Sequence, residues 1–347
     1  MKRTGNAAIL LLCAVLFMAG CSGEFRKEKR GMPRNLKIGI CAYDQYDTFI
    51  LSVIQDFQTA AKQKEKETGI SITVEVAGAG GKQNVQNDQV ADFIDSGCDI
   101  LCVNIVDRTD ATMIIDKAKN ADVPVIFFNR ELVQEDLRRW DKLYYVGSEP
   151  QKSGIMQGEI ITRLCGGENG ITVYDRNRDG KLQYVMLEGE AGHQDALIRT
   201  EYCVKTITDA GILLEKLGDE IANWNRAQAQ TKMNLWINEF GDEIELVLCN
   251  NDDMALGAID AWKESGRSVF PVIVGIDGND AALEAVKEGT MAGTVINDAK
   301  GQAESMLALA CALGCHTELP QELQDGTYIR LHHRIVTSEN VDEMINH

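Results

Sequence analysis

The chain has 347 residues, of which 44% are hydrophobic and 25% are charged, and both fractions are ordinary for soluble globular proteins. This composition excludes a fibrous, collagenous or mostly disordered chain, and the length allows two domains of ordinary size. Lysine and arginine total 35 against 53 aspartates and glutamates, giving a formal net charge of −18. Because nucleic acid and anionic membrane surfaces attract basic proteins, this charge argues against both as partners.

Residues 1–20 have the pattern of a secretory signal peptide. Two basic residues precede an apolar run, Ala7 to Ala19, that is too short to span a bilayer. The sequence Ala19-Gly20-Cys21 that ends the run is typical of lipoprotein signals, which are cut before a cysteine that carries lipid. An ordinary signal peptide cut nearby is the alternative. We expect lipid on Cys21, a flexible tether over residues 21–35, and a protein anchored at the outer face of the cell membrane or located in the periplasm.

Eight further cysteines are scattered through apolar strand and helix patterns, and they do not have the spacing of a four-ligand zinc site. We predict that they are buried free thiols. They are Cys41, Cys98, Cys102, Cys165, Cys203, Cys249, Cys311 and Cys315.

From Leu36 onward, strand patterns and helix patterns alternate. The predicted strands are Leu36–Ala42, Ile70–Ala77, Asp99–Ile105, Val123–Phe128, Leu182–Leu187, Ile212–Leu217, Ile244–Cys249, Val269–Ile276 and Ala292–Ile296. The predicted helices are Phe49–Ala61, Asn84–Ser96, Ala111–Asn120, Asp195–Ala210, Asn225–Phe240, Asp252–Lys263, Ala281–Glu288 and Gly301–Leu313. Such alternation predicts parallel sheets covered by helices on both faces, so we expect an α/β chain with two doubly wound lobes.

Asparagine or aspartate follows several of the predicted strands. Open α/β sheets bind ligands beyond the carboxyl ends of their strands, so these residues are candidates for a polar ligand site. Each one alone is more typical of a helix N-cap, but their recurrence at many strand ends favours a site. The positions are Asp44, Asp47, Asn104, Asn250, Asn251, Asp252, Asp277, Asn297 and Asp298.

The segment 175–183 has the spacing of most of an EF-hand calcium loop. Side-chain oxygens at loop positions 1, 3, 5 and 9 come from Asp175, Asn177, Asp179 and Gln183. Gly180 permits the sharp turn, and Lys181 can offer its carbonyl oxygen. The glutamate expected at position 12 is replaced by Met186, and a strand follows where an EF-hand has a helix. A calcium site here needs a carboxylate from elsewhere, and without one the loop is an Asx-rich turn.

A set of short motifs extends over Lys37 to about Val341. They are Asn104–Asp107, Val123–Asn129, Tyr144–Gly147, the loop Asp175–Gln183, Gly189–Asp195 with Arg199-Thr200, Trp224 before Ala227–Ala229, Asn250–Asp252 and Ala292–Asp298. With these motifs the chain resembles the bacterial periplasmic glucose/galactose-binding proteins of ABC sugar importers. The resemblance implies a type I periplasmic-binding fold, in which two Rossmann-like lobes are joined by a three-strand hinge and close on a sugar in the cleft.

The resemblance also implies where the chain crosses between the lobes, namely near Val123, Asn297 and Arg330. The N-terminal lobe would comprise residues 36–123 and 297–330. The C-terminal lobe, with the calcium loop, would comprise residues 124–296 and 331–347.

Ten hexose-contacting positions follow from the resemblance: Asp47, Phe49, Asn104, His193, Asp195, Arg199, Trp224, Asn251, Asp277 and Asn297. Phe49 and Trp224 would sandwich the apolar faces of a pyranose, and the polar residues would bond its hydroxyls. The resemblance further implies a structural calcium ion. Its ligands would be Asp175, Asn177, Asp179, the Lys181 carbonyl, Gln183 and the remote Glu245, which supplies the missing carboxylate.

The function implied is that of a monomeric, lipid-anchored solute-binding protein that delivers D-galactose, D-glucose or both to the membrane permease of an ABC importer. The sequence leaves the choice among glucose, galactose and a galactoside open. The alternative role is that of a sensor presenting the bound sugar to a chemoreceptor or sensor kinase. A lactose-repressor-type regulator shares the fold but begins with a helix-turn-helix headpiece, where this chain has a signal peptide. An enzyme is not indicated, because no nucleophile–base pair stands out.

Overall fold

The computed structural model of this protein describes residues 35–166 and 170–345. The expected signal peptide, the lipid site at Cys21 and residues 21–34 of the tether lie outside the described residues. No helix within the described part of the chain has the length and apolar character needed to cross a membrane.

Strands and helices alternate along the described chain, as the sequence predicts. The strands are β1 (Asn35–Ala42), β2 (Ser71–Gly78), β3 (Ile100–Val103), β4 (Val125–Phe128), β5 (Leu143–Ser148), β6 (Leu182–Glu188), β7 (Leu214–Ile221), β8 (Leu246–Cys249), β9 (Val272–Val274), β10 (Gly293–Ile296), β11 (Tyr328–Leu331) and β12 (Arg334–Thr337). The helices are α1 (Thr48–Thr68), α2 (Gln83–Asp95), α3 (Thr112–Ala121), α4 (Gln134–Leu137), α5 (Pro150–Cys165), α6 (Gln194–Asp209), α7 (Arg226–Glu239), α8 (Asp252–Glu264), α9 (Asp280–Glu288), α10 (Ala299–Gly314) and α11 (Val341–Ile345).

The strands form two six-stranded sheets within the described residues, one in each lobe. The N-terminal sheet has the strand order β11-β5-β4-β3-β1-β2, and all its pairs are parallel. The C-terminal sheet has the order β12-β10-β9-β8-β6-β7, and only its pair β10–β12 is antiparallel. The central strands are runs of apolar residues such as Val125–Phe128, all of them buried, because helices cover both faces of each sheet.

Each sheet lies between two layers of apolar side chains. In the N-terminal lobe, α1 and α10 contribute buried residues to one face, and α2 and α3 contribute to the other. In the C-terminal lobe, α7, α8 and α9 cover one face, and α5 and α6 cover the other. This packing fixes the carboxyl ends of the strands in both lobes, and the ligand site depends on those ends.

The chain passes from one sheet to the other after β5, after β10 and between β11 and β12. The predicted first crossing near Val123, with a lobe boundary between residues 123 and 124, is therefore wrong. The reason is that β4 pairs with β3 and β5 pairs with β4, so both strands belong to the N-terminal sheet. The crossing falls between β5 and α5 instead.

The eight cysteines of the described chain are all free thiols. Seven are buried, as predicted, and Cys311 is only half-buried. Burial raises the pKa of the Cys41 thiol to about 12, which keeps it protonated at neutral pH.

Candidate functional site

A cavity lies between the lobes, where the carboxyl ends of strands from both sheets meet. The N-terminal lobe contributes Tyr43, Asp47, Phe49, Ile50, Asn129 and Arg130 to the lining. The C-terminal lobe and the strand end at residue 297 contribute His193, Asp195, Arg199, Trp224, Asn251, Asp277 and Asn297.

The structure brings nine of the ten sequence-predicted positions together in this one cavity. They are Asp47, Phe49, His193, Asp195, Arg199, Trp224, Asn251, Asp277 and Asn297. These residues are spread over about 250 positions of sequence, and the two-lobed fold gathers them because they follow strands or lie in the first two turns of helices at the same edge.

Asn104 is the exception, because it does not line the cavity. It is fully buried, and its Nδ2 donates to the Phe128 carbonyl at 3.0 Å. Its Oδ1 accepts from the Tyr43 backbone N–H at 3.4 Å, and its carbonyl accepts from Gln86 at 2.8 Å. Asn104 therefore ties β1, β3 and β4 together inside the lobe, and its expected contact with the ligand stays a prediction.

Four lining residues were not among the predicted positions: Tyr43, Ile50, Asn129 and Arg130. Asn129 directly follows β4 and has a left-handed backbone with φ of 59°. The strand-end rule that selected the other asparagines could have found Asn129 as well. Arg130 has no such signal, because its position depends on contacts with distant residues.

Arg130 is only 7% exposed and is held by three partners. Its guanidinium lies 3.5 Å from the centroid of the Tyr43 ring, and it donates to the Val106 carbonyl at 3.1 Å. It also forms an ion pair of 2.8 Å with Glu190, which belongs to the other lobe. Arg130 therefore links the two lobes at the border of the cavity.

Trp224 is fixed tightly in the cavity wall. Its indole lies edge-on to the His193 imidazole, with 5.2 Å between the ring centroids. A Cβ atom at Gly189 would lie 2.0 Å from the indole, so only glycine fits there. Trp224 also has a left-handed backbone with φ of 60°, a conformation uncommon for a bulky residue. Phe49 lies on the opposite lobe in the first turn of α1, and the two aromatic planes are available to the apolar faces of one ligand.

Several cavity residues also cap helices. The same residue can therefore be both a helix N-cap and a member of the candidate ligand site. Asp47 accepts from the Ile50 N–H at 2.9 Å and caps α1, while its other oxygen accepts from the Tyr43 hydroxyl at 2.6 Å. Asn251 caps α8 by accepting from the Met254 N–H at 3.0 Å. A cap oxygen sits at the helix N-terminus, and this position also aims the side chain at the cleft.

Burial shifts the pKa values of three ionisable residues in the cavity. Burial raises the pKa of Asp277 well above its ordinary value and also raises that of Asp195, with Arg199 opposing both shifts. Burial and the nearby Arg130 lower the pKa of His193 to about 2, so its imidazole is neutral. Since His193 Nδ1 accepts from the Asp195 N–H at 3.1 Å, the ring proton is on Nε2.

Arg199 has an unused donor in the cavity wall. The side chain is 5% exposed, and one terminal nitrogen donates to the Asn250 carbonyl at 2.9 Å. Its Nε is buried without a hydrogen-bond partner in the described part of the chain. Buried donors of this kind are rare in native structures, so this nitrogen indicates that a ligand atom completes the site.

The loop 175–183 and Glu245 meet in the structure. Glu245 is 2% exposed, and its carboxylate accepts from the backbone N–H of Arg176 and, at 3.2 Å, from that of Gln183. The Asp175 carboxylate accepts from the Asp179 N–H at 3.1 Å and the Gly180 N–H at 2.9 Å. The loop is thus a set of Asx-type turns anchored to the strand edge by a buried carboxylate.

The loop donors match the chemistry of calcium, but their carboxylates do not converge in this structure. Three carboxylates, two side-chain amides and a carbonyl are oxygen ligands that calcium prefers. Within the described residues, however, no three His, Cys, Asp or Glu side chains form a group that could hold a metal ion. Two of the donors are instead bonded to each other, since Gln183 Nε2 donates to Asp179 Oδ2 at 2.8 Å.

The chain is similar to known proteins over most of its length. A family model described as a periplasmic binding protein domain matches residues 38–317. The chain is 33% identical over 313 residues to the D-galactose/methyl-galactoside binding periplasmic protein of Haemophilus influenzae, which covers 89% of this chain and 88% of that protein. It is 29% identical over 311 residues to the xylitol-binding protein of Mycolicibacterium smegmatis, with 90% and 80% covered.

Solved structures share the fold. An ABC transporter solute binding protein from Bacillus halodurans with bound myo-inositol is 29% identical, with a TM-score of 0.74 over 90% of this chain and 97% of that one. A periplasmic solute binding protein from Actinobacillus succinogenes with bound D-allose is 21% identical, with a TM-score of 0.75 over 89% and 99%. These structures confirm the two-lobed α/β fold that the sequence predicts.

Proposed function

We propose that this chain, which belongs to the family of periplasmic binding proteins, binds a hexose, D-galactose or D-glucose, in the cavity between its lobes. The family consists of binding proteins, so the chain is the extracytoplasmic sugar-binding component of an ABC importer and not an enzyme. The bound sugar would be passed to the membrane permease of that importer.

The observation that carries the proposal is the composition of the cavity. Phe49 and Trp224 come from opposite lobes, and the groups between them are hydrogen-bond donors and acceptors. A pyranose has two apolar faces for the aromatic planes, and its hydroxyls both donate and accept. The free Nε of Arg199 and the Nε2–H of His193 are donors, and Asp47, Asp195 and Asp277 offer carboxylate oxygens. No serine, threonine, cysteine or lysine is among the residues that line this cavity.

Galactose is proposed over other polyols because of one relative, and glucose is proposed because of the resemblance described under the sequence analysis. The Haemophilus influenzae protein, at 33% identity, is described as binding D-galactose and methyl-galactoside. The other relatives named above are described with xylitol, myo-inositol and D-allose, so the neutral polyol class is shared while the individual sugar differs.

A thermal-shift panel tests this proposal, since a ligand that binds only the folded state raises the melting temperature by mass action. D-galactose, D-glucose, D-allose, myo-inositol and xylitol would be added at equal concentration. We expect D-galactose or D-glucose to give the largest increase. A larger increase with xylitol or myo-inositol would contradict the hexose assignment and leave the polyol class intact.

We also propose that the protein is anchored by lipid on Cys21. The support is the sequence Ala19-Gly20-Cys21 at the end of the apolar run. Mass spectrometry of the membrane fraction should show a mature chain that begins with a lipidated Cys21, and Cys21→Ala should leave the protein unlipidated. Cytosolic protein that retains Met1 would contradict the proposal.

Finally, we propose a structural calcium ion at the loop 175–183. The support is the donor set and the location of Glu245 within hydrogen-bond distance of the loop backbone. Asp175, Asn177, Asp179, Gln183, Glu245 and the Lys181 carbonyl would hold the ion. Bound calcium would neutralise the three carboxylates and link the loop to the strand edge that begins β8.

A further inference from the structure

Asp252 is a buried carboxylate that does not line the cavity between the lobes. It is the first residue of α8, directly after the N-cap Asn251, and its side chain is fully buried. An ionised carboxylate is costly to bury unless its oxygens accept hydrogen bonds. The partners of those oxygens therefore show what the carboxylate does in the fold.

Both oxygens of Asp252 accept hydrogen bonds from elements beside α8. Oδ2 accepts from the backbone N–H groups of Gly278 at 2.6 Å and of Asn279 at 3.1 Å. Oδ1 accepts from the hydroxyl of Thr294, on β10, at 2.6 Å. The Asp252 N–H donates to the Ile276 carbonyl at 2.7 Å. Asp252 therefore ties the start of α8 to β10 and to the turn that follows β9.

This turn, residues 277–279, has a backbone conformation that side chains disfavour. Asp277 has a φ of 134° and Gly278 a φ of 74°, and both values lie in the left-handed region that favours glycine. Successive N–H groups that converge on one anion form a nest, and the Asp252 carboxylate occupies the nest made by Gly278 and Asn279. These two bonds stabilise a turn that the conformational preference of Asp277 opposes.

The turn also determines where Asp277 lies, and Asp277 lines the cavity between the lobes. The Asp277 N–H donates to the Val295 carbonyl at 2.9 Å. The Asp277 carbonyl accepts from the N–H of Asn297, a second lining residue, at 3.0 Å. The conformation of the turn thus fixes Asp277 directly and Asn297 through one backbone bond.

Asp252 has a second, electrostatic effect on Asp277. Burial is the main cause of the raised pKa of Asp277; Arg199 opposes the rise, and the Asp252 carboxylate adds to it. This effect needs the charge of Asp252, whereas the bonds to the nest need only an acceptor oxygen at the end of the side chain. Asparagine keeps such an oxygen and lacks the charge, so the two effects are separable.

From these contacts we propose that Asp252 is a positioning residue for sugar binding, whose carboxylate holds the turn 277–279 in the conformation that presents Asp277 to the ligand. This inference rests on the proposed function, because it takes the cavity between the lobes as the hexose site. Asp252 does not touch the ligand, so its removal should weaken binding chiefly through Asp277.

A double-mutant cycle of Asp252→Ala and Asp277→Ala tests the proposal by calorimetric titration with D-galactose and D-glucose. Alanine at position 277 removes the carboxylate and keeps the Cβ atom, so the constraint on the backbone remains. Asp252→Asn is the conservative variant, because its oxygen can still accept from the nest while its amide donates to the Thr294 hydroxyl. Thr294→Val is the matched control, since it removes the bond to Oδ1 and leaves both nest bonds to Oδ2.

We expect Asp252→Ala to weaken hexose binding roughly tenfold or more in the wild type, but less than about threefold when residue 277 is already alanine, because residues that act through one group are not additive. The small remaining loss comes through Asn297. Asp252→Asn should bind within about threefold of the wild type, because an acceptor remains. Thr294→Val should lower the melting temperature and leave binding within about twofold.

The inference is overturned if Asp252→Ala weakens binding equally with and without the Asp277 carboxylate, as a general loss of structure would. It is also overturned if Asp252→Asn binds as weakly as Asp252→Ala, because the effect would then be that of charge alone. Melting temperatures establish that each variant folds. If Asp252→Ala does not fold, Asp252→Ser replaces it in the cycle, since a serine hydroxyl is too short to bond both N–H groups of the nest.

Failure of the proposed function has a different signature. In that case the wild type itself binds neither D-galactose nor D-glucose. The same cycle is then measured with the polyol that gives the largest thermal shift, and the presence or absence of coupling between residues 252 and 277 still decides the role of Asp252.

Discussion

Asn104 and Asn129 each follow a strand of the N-terminal sheet, and the structure gives them different surroundings. Asn104 faces the interior and bonds the Phe128 carbonyl and the Tyr43 N–H, whereas Asn129 lines the cavity between the lobes. The sequence alone does not separate them, because both end apolar runs of similar character. The difference arises from the Asn129 backbone, whose left-handed φ of 59° turns the chain at the end of β4.

Replacing these two asparagines should therefore have opposite consequences. Asn129→Gly keeps a residue that tolerates positive φ, and we expect it to weaken hexose binding while it changes the melting temperature little. Asn104→Ala leaves the buried Tyr43 N–H unpaired and removes one of the two donors to the Phe128 carbonyl, so we expect it to cost about 1–3 kcal/mol of unfolding free energy. Calorimetry and thermal denaturation of both variants check this. If Asn104→Ala were fully stable and Asn129→Gly bound sugar like the wild type, the assignment of the two residues would be wrong.

The rule that ligand-binding residues follow the carboxyl ends of strands could identify the residues whose position depends on local structure alone. Asp47, Asn251 and Asp277 follow strands or cap helices, so their location at the cleft follows from the alternation of elements. Arg130 could not be identified in this way. It lies where it does because Tyr43 stacks on it and Glu190 of the other lobe pairs with it, and those contacts join residues far apart in sequence.

At the scale of elements, α5 shows why some helices escape sequence analysis. Its glycines at 154 and 158 lower its helix propensity and argue against a helix. In the structure both face α6, where a Cβ would lie 2.8 Å from the Arg199 carbonyl at Gly154 and 2.8 Å from the Cys203 carbonyl at Gly158. The two helices pack so closely that only glycine fits, and a local reading of the sequence contains no information on that contact.

The calcium proposed at the loop 175–183 should stabilise the folded protein, so its removal should lower the melting temperature. If calcium is bound, EGTA should lower the melting temperature of the wild type, because ligand binding stabilises the folded state. Glu245→Gln should lower it as well and should abolish the response to EGTA. Glu243→Gln, an exposed glutamate two residues away, is the control and should respond to EGTA like the wild type.

Differential scanning calorimetry with calcium and with EGTA measures both effects. The hydrogen bonds of Glu245 alone predict a lower melting temperature for Glu245→Gln. They predict no effect of EGTA on the wild type, and that result would contradict the calcium proposal.

His333 lies between β11 and β12 and contacts the other two crossings of the chain. One ring nitrogen is 3.0 Å from the Ile296 carbonyl at the end of β10, and the other is 3.1 Å from the Glu149 carbonyl just before α5. Burial, with a smaller effect of Arg199, lowers the pKa of His333 from 6.5 to about 4. All three segments that join the lobes thus meet at this imidazole, which donates to one of the two carbonyls while it is neutral.

Because this pKa lies below that of a free histidine, the free energy of unfolding should fall as the pH is lowered. The unfolded chain takes up a proton near pH 6.5 but the folded one only near pH 4, so the stabilisation from neutral His333 is complete above pH 6.5 and is lost as the pH falls toward 4. We expect the wild type to lose up to about 3 kcal/mol more unfolding free energy than His333→Gln over this range. Urea denaturation at pH 7 and pH 4.5 measures the difference; equal losses in the two proteins would contradict it. His193 titrates in both proteins, so its contribution cancels.

At the scale of the whole molecule, the lobes meet through a small number of side-chain bonds around the cavity. Arg130 pairs with Glu190 on one side at 2.8 Å, and Thr48 Oγ1 donates to Asp253 Oδ2 on the other at 2.7 Å. Both pairs join one lobe to the other. A ligand between Phe49 and Trp224 would add contacts that exist only when the lobes are closed, and such contacts shift the equilibrium toward the closed state.

The two-lobed architecture could be predicted from the alternation of strands and helices, but the first lobe boundary could not. The run Val123–Phe128 gives no indication of the lobe to which it belongs, because a buried strand looks alike in either sheet. Its place is decided by pairing with β3 and β5, and the strand β5 was itself absent from the predicted series.

Calorimetric titration of the mature soluble domain with D-galactose and D-glucose tests the central claim most directly. Trp224→Ala is the informative variant, and Trp140→Ala, which does not line the cavity between the lobes, is the control. We expect the wild type to bind at least one of the two sugars with a Kd below about 1 mM, a threshold of roughly 4 kcal/mol. Trp224→Ala should lose about 1–3 kcal/mol of that binding free energy through the missing apolar platform, and Trp140→Ala should lose none. Absence of binding of both sugars to the wild type, or unchanged affinity in Trp224→Ala, would contradict a hexose held between the lobes.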